Sequence, residues 1–190
     1  MKKVILSVAI LSAFAAAFSS CKKDPIENPV VEEGELITTL KVTVTDSNNV
    51  SKSFVYKVEN GFGSSSQGTV QIDTFKLAPN YTYSYVIEVL NESETPVEDI
   101  TAEVLSERDE HLFLLTSAPA TGAGSLTLSN GSKDNQNLPF NQSGKLTSGA
   151  AGSGSFTIAL LHEPTNKNGA TTAETGGETD AEATFPVAIQ

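Results

Sequence analysis

This 190-residue sequence contains one cysteine, one methionine, two histidines and no tryptophan. One cysteine makes no internal disulfide, no CxxC redox pair and no cysteine zinc cluster. Twelve basic residues stand against 23 acidic ones, a formal charge of −11. No basic stripe exists to neutralise phosphates, so nucleic acid is excluded as a partner. Charged residues are only 18% and apolar ones 38%, which is neither a disordered nor a membrane-spanning composition. The chain has no GxSxG, no P-loop and no HExxH, so no nucleophile or metalloprotease motif is present. Among 23 carboxylates a glycosidase pair is no signal. The reading is a non-enzyme, with no catalytic residue assigned; a carboxylate hydrolase is the least supported alternative. Without tryptophan, a sugar-stacking platform needs Tyr81, Tyr83 and Tyr85. Their i, i+2, i+4 spacing more often marks a half-buried sheet face.

The N-terminus reads as an address. Lys2 and Lys3 precede an apolar run from Val4 to Phe18, broken only by Ser7 and Ser12. That run is short for a membrane span and fits a secretory signal over residues 1–20. Ser19 and Ser20 lead into Cys21, the only cysteine, as in a lipobox. The expected chemistry is diacylglyceryl thioether formation at Cys21, cleavage before it and acylation of the new amine, with palmitate-like chains. Each buried methylene contributes about 0.8 kcal/mol, so two or three chains anchor stably in a lipid bilayer. The alternative is a cleaved secretory signal with an incidental cysteine. Loss of Lys2 and Lys3 takes the charge from −11 to −13, so acyl chains rather than the acidic body must hold the membrane. Residues 21–34, with two prolines and four acidic residues, read as a tether.

Residues 35–190 read as strands. LITTLKVTVT (36–45), VSKSFVYKV (50–58), TVQIDTFKLA (69–78, with a bulge near Asp73-Thr74) and YTYSYVIEVL (81–90) alternate in polarity. Thr95-Pro96-Val97-Glu98 has the form of a capping box, and Val97, Ile100, Val104 and Leu105 follow at helical spacing, so 96–109 is expected as one short helix. Strands resume at HLFLLTS (111–117), SLTLS (125–129), SFTIALLH (155–162) and 179–190, with a ragged strand near Lys145-Leu146-Thr147 inside a polar loop from 130 to 154. Seven or eight short strands without a βαβ rhythm predict an all-β, antiparallel β-sandwich of Ig-like, Greek-key type.

The chemistry centres on the two histidines. His111 follows Glu107, Asp109 and Glu110 and opens a strand; His162 closes one; Glu178 and Asp180 open the last. If these edges meet, two imidazoles and one or two carboxylates converge, a donor set suited to Zn2+. The alternative is two ordinary strand-end histidines bonded to backbone. A calcium loop at Asp134-Asn135-Gln136-Asn137 lacks the spacing and final glutamate of an EF-hand.

Several segments carry a resemblance: Glu35-Leu36-Ile37-Thr38-Thr39, Asn91 to Pro96, Glu98 to Thr101, Asp109-Glu110-His111, Leu161-His162, and Gly176-Gly177-Glu178-Thr179-Asp180. Together with Lys22-Lys23-Asp24 after Cys21, the chain resembles small Bacteroidetes-type lipoproteins of unestablished function. Members are often called type 1 periplasmic binding fold proteins, a two-lobed α/β architecture that this strand-rich chain does not supply. The resemblance implies recurring histidines and a recurring Gly-Glu-Thr-Asp turn. It also implies outer-membrane attachment, facing the periplasm or the cell surface, beside a TonB-dependent receptor. Here Leu161 and Glu163 flank His162, where members more often show arginine and glutamine. The expected function is ligand capture for a TonB-dependent transporter, with a divalent metal held by His111, His162, Glu178 and Asp180. The alternative is a structural or adhesive surface module without metal.

Overall fold

A computed structural model describes residues 36–190. The signal segment, Cys21 and the tether lie outside the described residues. Two sheets face each other, built from strands whose alternating side chains leave one face apolar. The larger sheet runs β3 (Val70–Ile72), β2 (Ser51–Val58), β1 (Thr39–Thr45), β5 (Thr82–Asn91), β9 (Ser143–Ser148) and β8 (Leu126–Ser129), with β6 (Glu98–Asp99) also paired to β5. The smaller runs β4 (Phe75–Leu77), β11 (Glu178–Ile189), β10 (Gly152–His162) and β7 (His111–Ala118). The β1-β5-β9-β8 and β7-β10-β11 orders are the two-sheet arrangement of an immunoglobulin sandwich. All pairings are antiparallel except β4 with β11.

Five phenylalanines fill the centre: Phe75, Phe113, Phe140, Phe156 and Phe185 are fully buried. Phe54 stacks on Phe75 at 4.2 Å, and Phe156 and Phe185 meet Phe75 edge-on. These contacts supply the inter-sheet packing that a disulfide and a tryptophan give in antibody domains. The tyrosine series of β5 points inward. Tyr83 accepts from the Ala78 N–H and Tyr85 donates to the Asn141 carbonyl. Tyr83 and Tyr85 are buried, so they are core residues and leave no stacking platform.

Three expectations change. The helix is shorter than 96–109: α1 spans Thr101–Ser106. Glu98 and Asp99 pair with Asn91 and Leu90 as strand β6, and Glu98 accepts from Asn91 instead of closing a capping box on Thr95. The break at Asp73-Thr74 is a crossing between sheets, since β3 and β4 join different ones. The ragged strand is a full one, β9, held between β5 and β8. A second helical turn, α2 (Thr172–Thr175), lies in the β10–β11 connection. Among the described residues, no helix is long and apolar enough to cross a membrane.

Candidate functional site

One rim of the smaller sheet gathers the expected residues. His162, at the end of β10, sits in register with His111 on one side and Glu178 on the other. His111 continues the inward series of Phe113 and Leu115, and His162 that of Ile158 and Leu160, so both rings lie at the open end of the core. The rings stack, with centroids 4.8 Å apart and planes 12° from parallel. His111 is 7% exposed.

Asp180 arrives through a register shift. Leu160 pairs with Ala181 but Leu161 pairs with Thr179, so Asp180 is the extra residue of a β-bulge. A bulge re-aims a side chain that regular pleating would place elsewhere. The Asp180 carboxylate reaches past β10 to within 3.9 Å of His111 Nε2. The turn before it is tight. Gly177 has φ of +86°, and a Cβ there would meet the His162 carbonyl oxygen at 2.3 Å. The Gly-Gly pair is therefore required where the chain folds back on β10.

His111 Nδ1 lies 3.1 Å from the Glu107 carbonyl oxygen. A carbonyl only accepts, so Nδ1 carries the proton and the neutral ring presents its lone pair at Nε2, toward Asp180. No hydrogen bond from the His162 ring is found among the described residues. Burial pushes the Asp180 carboxyl above its ordinary pKa; His111 and His162 draw it back and Glu178 adds to the rise. The site is a half-sunk carboxylate short of positive charge, facing an imidazole nitrogen.

The structure thus brings together His111, His162 and Asp180. Glu178 stands across the ladder from His162 but is exposed. As the side chains lie, no group of three or more His, Cys, Asp or Glu among the described residues is arranged to hold an ion. The cause is the stack: lone pairs lie in the ring planes, and parallel planes do not aim at one point. Asp134, in the loop considered for calcium, is instead turned inward. It accepts from Lys167 and from the Gln136 and Leu138 N–H groups.

No family model, curated protein or solved structure matches this chain.

A feature without a sequence signal is the buried Lys167–Asp134 pair, at 2.8 Å with side chains 4% and 0% exposed. Lys167 also donates to the Arg108 carbonyl at 2.6 Å. It ties the 163–177 connection to the segment before β7 and to the loop after β8. That connection joins His162 at the end of β10 to Glu178 at the start of β11.

Proposed function

We propose that the protein is a non-enzymatic, lipid-anchored outer-membrane module that captures a divalent cation, zinc above all, at the His111–His162–Asp180 rim for a TonB-dependent transporter. Anchoring rests on the Lys2-Lys3, Val4–Phe18 and Cys21 pattern. The transporter partner rests on the resemblance to outer-membrane lipoproteins.

The observation that carries the cation is the gap between His111 Nε2 and Asp180 Oδ2. At 3.9 Å it is too wide for a hydrogen bond. Zinc binds nitrogen and oxygen at about 2.0–2.2 Å, so a tetrahedral ion holds two such donors roughly 3.4 Å apart. A closing motion of about half an ångström admits an ion with both bonds made. The charge-deficient Asp180 carboxyl favours that cation over solvent. His162 supplies the third donor by turning its ring out of the stack, and water or Glu178 completes the shell.

Calorimetric titration of the full chain in detergent with zinc chloride tests this reading. One site is expected, weakening as pH falls because protons compete for imidazole nitrogen. The double variant His111→Ala, His162→Ala is expected to lose it. Unchanged affinity in that variant overturns the assignment and leaves the structural or adhesive reading.

A further inference from the structure

The chain's own segments close the free edge of β7 at Phe113 and meet it again at the Ser117 side chain. Glu163 N–H donates to the Glu110 carbonyl at 2.7 Å, so along this ladder the even-numbered residues of β7 exchange hydrogen bonds with β10. In an antiparallel pair the intervening residues then turn their N–H and C=O groups the other way. Phe113 shows this. Its N–H donates to the Phe140 carbonyl at 2.9 Å, and its carbonyl accepts from Asn141 Nδ2 at 3.2 Å. Further along, the Ser117 hydroxyl accepts from the Leu126 N–H at 2.8 Å. Between these closures stands Leu115. Its N–H and C=O face the same edge, and no partner for either is found among the described residues.

Leu115 opens onto a cleft of about 390 Å³, within the size range of small-ligand sites. Leu112, Leu114, Leu128 and Pro139 give it apolar walls, and the Lys167–Ala170 stretch forms one lip. Unpaired N–H and C=O groups on an edge strand form a template for pairing with another chain. One donor and one acceptor on a single extended residue match one residue of an added strand. The closures at Phe113 and Ser117 leave about 13 Å of edge at the usual rise per residue.

We propose that this cleft is a second binding site, which takes a short extended peptide segment with uncharged, apolar side chains. The segment exchanges a pair of backbone hydrogen bonds with Leu115 and seats its side chains against Leu128 and Leu114, extending the β7 edge. The rim histidines do not line this cleft, so the site is independent of the cation reading.

The test is amide hydrogen exchange by NMR on the full chain in detergent, with millimolar N-acetyl-Leu-Leu-N-methylamide as probe. The Leu115 amide is expected to exchange about ten-fold more slowly with the probe present. A depsipeptide analogue, with an ester oxygen replacing the probe's N–H that meets the Leu115 carbonyl, is expected to bind at least five-fold more weakly. Ala170→Trp fills the cleft from an exposed lip position and is expected to abolish the protection while the fold persists by circular dichroism. Unchanged exchange at Leu115 in the parent overturns the proposal. So does equal protection in Ala170→Trp.

Discussion

At Asp180 a carboxyl is held where its charge is poorly compensated. Burial raises its pKa, the two histidines oppose the rise and Glu178 reinforces it. Between the ordinary aspartate value and the raised one, the folded chain holds a proton that the unfolded chain has released. Stability attributable to this group therefore falls as pH rises through that window, and the cost persists above it. Asp180→Asn removes the charge and keeps the shape. Its melting temperature at neutral pH is expected to equal or exceed the parent's, while zinc binding is lost. A clearly less stable variant at neutral pH contradicts the electrostatic account. The residue types at the rim were legible in the sequence, because two histidines and two acids opened or closed alternating runs. The bulge that selects Asp180 over Glu178 was not legible. It depends on which residues of β10 and β11 face each other, and no local pattern records that register.

At the scale of elements, the β10–β11 connection depends on Lys167. Burial alone would raise the Asp134 pKa, but the Lys167 ammonium and the Leu138 and Gln136 N–H groups outweigh it, so the carboxyl sits below its ordinary value. The stabilisation is complete above the unfolded aspartate pKa and is lost as pH falls through the depressed one. Lys167→Met leaves Asp134 buried without its counter-charge. Loss of one partner of a buried pair costs about 3–5 kcal/mol in deep sites. This pair lies between two loops, so about 2–3 kcal/mol is expected, read as a lower midpoint in urea denaturation. An unshifted midpoint contradicts the role given to the pair. Elements also show where sequence reading stopped. Thr95 to Glu98 has the letters of a capping box, yet pairing with β5 keeps Glu98 and Asp99 extended. Tertiary hydrogen bonds outweighed a local preference worth about 1 kcal/mol. Strand β9 has a single fully buried apolar residue, Leu146, and its place between β5 and β8 is set by neighbours far away in sequence.

For the whole molecule, the all-β sandwich was legible because period-two alternation recurs through most of the body and puts Phe54, Phe75, Phe113, Phe156 and Phe185 on inward positions. The meeting of His111 with His162 follows from that architecture. Both residues continue inward series, and β7 and β10 are neighbours that end at the same rim. Strand order is a global property, so the 4.8 Å approach of the rings emerges only once the sheets are assembled. The central claim is that these two rings share one ion with Asp180. The chain contains only these two histidines, so the most direct measurement is long-range 15N NMR of its imidazoles before and after one equivalent of zinc. His111 Nε2 and one ring nitrogen of His162 are both expected to move to metal-bound positions, while His111 Nδ1 keeps its proton and its bond to Glu107. Zinc signals at neither ring, or at one ring alone, would contradict the central claim.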